Sequence, residues 1–120
     1  MASLDQADRE RDDALVTLQS LVRAFARVKD AAIKEAYETL SQLLKNYTGL
    51  AATSLEKETE GINHLLQELK KPAYHTALAK LHLEAHVDSL AAAQKAFEKV
   101  YKERLTELKG KTPSQNKTVR

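Results

Sequence analysis

Apolar residues recur at alternating spacings of three and four along most of the chain, and this period constrains the fold more than any other feature. Such spacing places the apolar side chains on one face of an α-helix. The period is clearest in the series Val87, Leu90, Gln94, Phe97, Tyr101, Arg104 and Leu108. Aromatic residues, which favour strands, make up only 5% of the sequence, whereas helix-forming Ala, Leu, Glu and Lys are abundant. We therefore predict an all-α fold.

The first two helices are separated by a shift in the phase of the apolar period rather than by Gly or Pro. A capping box of Ser3 with Gln6 begins the first helix, which we expect to continue to Val28. Beyond that point the period slips, and Asp30 is a suitable N-cap for a second helix that ends near Asn46. The sequence thus predicts a tight turn between two helices instead of one long helix.

Three further helices are marked by residues that stop or start helical structure. Gly49 stops the second helix, and Thr53 is a suitable N-cap for a third helix, which Pro72 ends. Pro72 also suits the first turn of a short helix that reaches Leu81, and the last helix then runs to Gly110. Because short connections favour antiparallel neighbours, we predict an up-down-up-down four-helix bundle with a short extra helix between helices three and four.

Length and charge limit the kinds of partner that the chain is expected to have. Its 120 residues fit one domain, and we expect a helical bundle over 1–110 and a polar, disordered tail over 111–120. The net charge of +2 is far below that of a typical nucleic-acid-binding surface, so we expect no nucleic-acid partner. No segment approaches the ~20 apolar residues of a membrane span, so we expect no membrane partner and a cytoplasmic location.

The sequence carries no recognisable catalytic motif. It has no Cys, and therefore no thiol nucleophile or cysteine zinc site. It also lacks a Gly-x-Ser-x-Gly elbow, a phosphate-binding loop and a Gly-rich dinucleotide turn. We predict that the protein is not an enzyme, that it uses no cofactor, and that no residue can be assigned a catalytic, cofactor-binding or metal-binding role.

Two histidines four residues apart are the sharpest candidates for metal binding. His82 and His86 would face one metal ion if both lay on one helix. The order is not that of the His-Glu-x-x-His zinc motif, because Glu84 lies midway between them. His82 also falls at a predicted bend, and the sequence offers only His64 or His75 as a third ligand. Two surface histidines are therefore the favoured interpretation.

A second candidate is a group of charged residues that an up-down-up-down bundle would bring to one end. Arg11 and Arg104 occupy apolar-stripe positions, so their guanidinium groups need carboxylate partners. The favoured interpretation is an ion-pair network that fixes the register of the helices, and the alternative is a pocket for an anion or a carboxylate. The group comprises Asp8, Arg11, Asp12, Glu58 and Arg104.

Three polar residues at stripe positions are expected to be structural. Gln94 should be a buried amide whose hydrogen bonds are satisfied within the protein, because buried polar groups are nearly always paired. The same interpretation applies to Tyr37 and Tyr101. None of the three is predicted to bind a ligand.

Four stretches of the chain carry a recurring pattern of charged and apolar residues. They are Ala7-Asp8-Arg9-Glu10-Arg11-Asp12, Glu58-Thr59-x-x-Ile62-Asn63-His64-Leu65-Leu66-x-x-Leu69, Leu83-x-x-x-Val87-x-x-Leu90-x-x-Ala93-x-x-x-Phe97 and Tyr101-x-x-Arg104. This pattern resembles an uncharacterised family of helical proteins, a domain of unknown function found mainly in Bacteroidetes. The resemblance implies that this chain corresponds to the C-terminal half of longer members, and that the family has no established activity. The missing half would then leave surface for self-association to cover.

Taken together, these features predict a non-enzymatic helical module that acts through packing. We expect a homo-oligomer, in the first instance a dimer, or a complex with another protein. The alternative is a bundle that binds a small ligand or a metal, through His82 and His86 or through the end that holds Arg11 and Arg104.

Overall fold

The computed structural model describes residues 3–111, with side chains described to residue 108, and over that range the regular structure is entirely helical. The predicted all-α fold is confirmed. Two 3-10 turns, Lys45–Tyr47 and Leu50–Ala52, connect the second helix to the third. Of the predicted tail over 111–120, residues 112–120 lie outside the described residues. The five helices are α1 (Leu4–Arg23), α2 (Ala31–Leu44), α3 (Leu55–Glu68), α4 (Pro72–Leu81) and α5 (Glu84–Lys111).

Side-chain caps set the start of three helices. The Ser3 and Asp30 side chains accept hydrogen bonds from backbone N–H groups in the first turns of α1 and α2, as predicted. The predicted cap of α3 is wrong by one residue, since Ser54 is the N-cap and accepts from the Lys57 N–H at 3.2 Å. The Thr53 hydroxyl instead donates to the Leu50 carbonyl at 2.6 Å, because the preceding 3-10 turn leaves that acceptor within its reach.

Helix α1 ends at Arg23, before the predicted Val28. After Arg23 the backbone changes to bonds between residues three apart, with Phe25 N–H donating to the Val22 carbonyl and Val28 N–H to the Phe25 carbonyl. Phe25 still packs against the core from these turns. An apolar residue at helical spacing can thus face the core from a tight turn as well as from a helix, which is why the period overextends α1.

Helix α2 ends at Leu44 and continues as the 3-10 turn Lys45–Tyr47, so the predicted stop at Gly49 lies five residues beyond the end of the helix. Residues with special backbone conformations separate the later elements. Pro72 is the first residue of α4, as predicted, because a missing N–H costs nothing there. Gly49 has φ +75°, which only Gly adopts without steric cost. His82 also lies in the left-handed region, at φ 58°, and Leu83 N–H donates to the Leu78 carbonyl across it. The predicted bend between α4 and α5 is confirmed.

The helices pack into an elongated molecule of 65 × 23 × 21 Å. Helix α1 packs along α5, and α2 packs along α4. Helix α3 is antiparallel to α5, since Glu56 contacts Tyr101 whereas Asn63 contacts Gln94. No described helix is both long and apolar enough to cross a lipid bilayer. The apolar core comprises Leu15, Leu18, Val22, Ala36, Leu40, Leu43, Leu44, Tyr47, Ile62, Leu65, Leu69, Ala77, Leu78, Leu81, Leu83 and Leu90.

Gly61 lies inside α3 where the Leu50 side chain approaches the helix. A Cβ built on Gly61 would lie 2.6 Å from Leu50 Cδ1. We expect Gly61→Ala to change the free energy of unfolding by less than about 1 kcal/mol, because the gain in helix propensity opposes the displacement of Leu50. In a Leu50→Ala background the same change should stabilise by about 1 kcal/mol. Urea denaturation of the four proteins measures this coupling, and additive effects would contradict the contact.

Candidate functional site

The side chain of Arg11 lies at 0% exposure between α1, α3 and α5, and all five of its N–H groups are hydrogen-bonded. A guanidinium group has five donors and no acceptor, so Arg11 is fully satisfied without water. We call Arg11 and its partners the arginine network. Its bonds run from Nε to Asp8 Oδ1 (3.1 Å), from one amino group to Thr59 Oγ1 (2.7 Å) and Gln94 Oε1 (3.1 Å), and from the other to the Leu55 carbonyl (3.3 Å) and Glu58 Oε1 (3.4 Å).

Helix α5 contributes one apolar and one polar contact to this network. The Phe97 ring lies under the guanidinium group, with Arg11 Cζ 3.5 Å from the ring centroid, which is a cation–π contact. Gln94 accepts from Arg11 and donates to the Thr59 carbonyl and to Asn63 Oδ1. The predicted buried, paired amide at Gln94 is confirmed, and it joins all three helices.

Spacing along α1 and the start of α3 bring the carboxylates together. Asp8, Arg11 and Asp12 lie on one face of α1 because residues three and four apart are neighbours on a helix. Glu58 lies in the first turn of α3, where the positive end of the helix dipole favours an acidic side chain. The predicted ion pairs of Arg11 with Asp8 and Glu58 are confirmed. Asp12 lies beside these two carboxylates but forms no ion pair with Arg11.

Two carboxylate oxygens in this group have no hydrogen-bond partner among the described residues. They are Asp12 Oδ1 and Glu58 Oε2, and both are buried. Burial, followed by a hydrogen bond with Asp12, raises the pKa of Glu58 to about 8, although the charge of Arg11 acts in the opposite direction. With this pKa, Glu58 in the metal-free protein holds a proton at neutral pH, and that proton, shared with Asp12, is the one donor that can serve these two oxygens.

Arg104 does not belong to the network, and that part of the prediction is wrong. Its side chain is exposed, and among the described residues it takes part in no hydrogen bond or ion pair. Residues 102–108 of α5 are all exposed, because this part of the helix extends past the ends of α1 and α3. The apolar period continues there, but none of the other described helices reaches far enough to bury it.

The histidines do not form a metal site. His82 is an exposed residue in the left-handed turn after α4, whereas His86 lies in the first turn of α5, so the two do not share a helix face. His64 Nδ1 is 2.6 Å from the Tyr47 hydroxyl, and His75 is exposed. Within the described residues, one group of three acidic or histidine side chains has ligand atoms close enough to share a cation, and it contains no histidine.

The two tyrosines are less buried than predicted, although the predicted hydrogen bond is present for Tyr101. Tyr101 is half-buried, stacks on Phe97 with ring centroids 5.7 Å apart, and donates to Glu56 Oε2. Tyr37 is half-buried and packs against the core. Both are structural contacts at the rim of the bundle.

Comparison with known protein families identifies the family of this chain. The model of a family described as a family of unknown function (DUF6261) matches residues 1–120. The chain belongs to the DUF6261 family. No curated protein and no solved structure matches it significantly. For this DUF6261 member, function has to be argued from its own side chains.

Sequence reasoning missed two members of the arginine network, Thr59 and Phe97. Thr59 directly follows Glu58 in the motif that begins at Glu58, and Phe97 lies about one turn after Gln94 on α5. A buried Arg needs as many acceptors as it has donors, so the stripe position of Arg11 already indicated more partners than the carboxylates. Which ones they are depends on the register between α1, α3 and α5.

A groove of about 580 Å³ lies between α3 and α5 beside the network. Its apolar lining includes Leu66, Leu78 and Val87, and polar side chains such as Lys70 and Glu98 surround them. Gln94 lies at its edge, with both ends of its amide already hydrogen-bonded within the protein. The groove therefore offers apolar contact with polar side chains around it.

Proposed function

We propose that this DUF6261 member is a non-enzymatic helical module that associates with a second copy of itself through the free end of α5. The observation that carries the proposal is the exposure of Leu105 at 42% and Leu108 at 57%, on a part of α5 that no other described helix covers. We call residues 102–108 the α5 extension. Large apolar side chains that remain in water on a projecting helix favour association.

The α5 extension has a distinct charge pattern. At 3.6 residues per turn, Leu105 and Leu108 continue the face that Tyr101 presents to the bundle. Lys102 and Arg104 flank this face. Glu103 and Glu107 lie on the opposite side of the helix. The apolar face is therefore bordered by positive charge, which favours an acidic surface as its partner.

The other helices supply such a surface close to the point where the extension leaves the bundle. Tyr101, just before the extension, bonds to Glu56 at the start of α3. The first turns of α1 and α3 carry more exposed acidic residues than exposed basic ones. The acidic residues are Asp5, Glu10, Glu56 and Glu60, and the basic ones are Arg9 and Lys57. A second copy related by a two-fold axis can place its extension against this acidic end and receive the same contact in return.

Leu105→Glu together with Leu108→Glu is expected to convert a dimer to a monomer, because it places two acids against an acidic end. Light scattering behind a sizing column should give about twice the 13.4 kDa chain mass for the unmodified protein and the chain mass for the variant. Val16→Glu is the matched control, since Val16 is 48% exposed but lies on α1. Circular dichroism confirms that each variant stays helical.

Two results would contradict the proposal. One is a monomer mass for the unmodified protein at every concentration up to the solubility limit. The other is a dimer that survives the double change in the α5 extension but is lost in Val16→Glu. The second result would place the interface on α1.

We also propose the order of the helices in the bundle, the relation of the chain to longer family members, and its location in the cell. The antiparallel contact of α3 with α5 supports an up-down-up-down order for the bundle, with α4 as the short extra helix. The sequence resemblance supports a correspondence with the C-terminal half of longer bacterial members, found mainly in Bacteroidetes. We place the protein in the cytoplasm on its composition.

Small-ligand binding is the second candidate, and the α3–α5 groove favours it. An apolar lining with a few polar groups is typical of small-molecule sites. A thermal-shift screen of the unmodified protein can identify a ligand, and Leu66→Trp should abolish its effect by filling the groove. A ligand that raises the Tm of this variant as well would bind elsewhere.

A further inference from the structure

We propose that the carboxylates of Asp8, Asp12 and Glu58 form a binding site for one divalent cation that prefers oxygen ligands, such as Mg²⁺, Ca²⁺ or Mn²⁺. One oxygen from each of the three side chains lies within 4.8 Å of the other two. That spacing suits a single ion bound between them, because hard cations bind carboxylate oxygens at about 2.0–2.6 Å. This site is separate from the histidines that the sequence singled out.

The three carboxylates divide their oxygens between Arg11 and the proposed ion. Asp8 Oδ1 and Glu58 Oε1 accept hydrogen bonds from Arg11. Glu58 Oε2 and Asp12 Oδ1 have no such bond. Because Glu58 is only 1% exposed, its free oxygen cannot turn to bulk water and is aimed at the other two carboxylates. In the metal-free protein the proton of Glu58 is the sole partner for these oxygens, and a bound cation would replace that proton.

Charge balance also favours a divalent ion. Three ionised carboxylates against one guanidinium group leave two negative charges uncompensated in a largely buried space. The neighbouring side chains from α3 and α5, Thr59, Gln94 and Phe97, carry no charge. A proton on Glu58 removes one negative charge, whereas a divalent cation removes both.

The site has an open side through which an ion can enter. The Asp8 side chain is 26% exposed, and Asp12 is half-buried. Three carboxylate ligands leave coordination positions that water fills from this side, as is usual for Mg²⁺ and common for Ca²⁺. The buried face of the site is closed by Arg11, which holds two of the ligands in place.

Electron paramagnetic resonance of Mn²⁺ added to the full chain at pH 8.5 tests the proposal directly, because it counts bound ions. One bound ion per chain is expected, and Mg²⁺ or Ca²⁺ should compete with it. Glu58→Gln keeps the shape of the side chain but removes a ligand charge. Loss of an outer-shell partner alone costs about tenfold to a hundredfold in affinity, so this change should cost at least as much.

Glu60→Gln is the matched control, since Glu60 is exposed on the same helix, and it should bind Mn²⁺ as the unmodified chain does. Thermal unfolding with and without each ion gives a second readout, with a rise in Tm expected for the unmodified chain and for Glu60→Gln only. Absence of bound Mn²⁺ would overturn the proposal and leave the proton as the sole occupant. Equal binding by Glu58→Gln would also overturn it.

Discussion

Replacing Arg11 with Ala is expected to destabilise the protein by about 3–5 kcal/mol, the range found when one partner of a buried ion pair is removed. The change leaves Glu58, Thr59 and Gln94 without the donors that now satisfy them, and it removes the guanidinium group from the Phe97 ring. Urea denaturation followed by circular dichroism measures the loss. For so small a chain, a loss of this size removes a large share of the total stability.

Arg104→Ala is the matched control, because it removes the same side chain from an exposed position on α5. Its effect should be within about 0.5 kcal/mol. Arg11→Met separates charge from packing, since Met retains most of the apolar stem. If Arg11→Ala cost no more than Arg104→Ala, the arginine network would make no net contribution to stability.

The free energy of unfolding of the metal-free protein is expected to fall by a few kcal/mol as the pH rises from about 5 to about 8. The pKa of Glu58 is about 8 in the folded protein, against an ordinary value of 4.5. The folded state therefore holds a proton that the unfolded chain has already lost between these two values. The contribution of this proton to the free energy of unfolding is fully present below pH 4.5. It is lost as the pH rises towards 8, by at most about 1.4 kcal/mol per pH unit.

Glu58→Gln should remove this pH dependence. The Gln amide can donate a hydrogen bond to Asp12 at every pH, whereas the Glu carboxyl group can do so only when it is protonated. The variant should be at least as stable as the unmodified protein at pH 8.5. Urea denaturation at five or six pH values, with a chelator present, gives the slope for each protein. Glu60→Gln should keep the original slope, and a slope that persists in Glu58→Gln would assign it to another group.

Arg11 and Arg104 show how far the apolar period of the sequence reaches. Both occupy stripe positions, yet one is buried and the other exposed. The period tells which face of a helix points towards its neighbours, but not where the neighbours end. The burial of Arg104 would require α1 and α3 to extend as far as α5, and those lengths are set by residues distant in sequence.

The starts of helices were more predictable than their ends, because a capping side chain bonds to backbone groups within one turn of itself. Ser3, Asp30 and Pro72 begin their helices through interactions within one turn. The choice between Thr53 and Ser54 was less predictable, since either hydroxyl can cap a helix and the preceding 3-10 turn engages Thr53. The bend at His82 was predicted, but its left-handed backbone was not, because a residue other than Gly in that conformation leaves little trace in the sequence.

The sequence predicted which charged residues meet at the candidate site, but not which of their oxygens lack a hydrogen bond. Spacing on α1 placed Asp8, Arg11 and Asp12 on one face, and the stripe position of Arg11 required carboxylate partners. The unpaired oxygens of Asp12 and Glu58 follow from the depth and angle at which α3 meets α1. Sequence spacing within a helix carries no information on that angle.

The 65 Å length of the molecule, against about 22 Å across, affects how it moves through solvent. A rod of this ratio rotates slowly end over end and quickly about its long axis, and it diffuses more slowly than a sphere of equal mass. Two copies joined by their α5 extensions would lie partly end to end, so dimerisation would raise the frictional ratio. Sedimentation velocity would then show a dimer that sediments faster than the monomer, but by a smaller factor than a dimer formed side by side, since the longer particle has more drag.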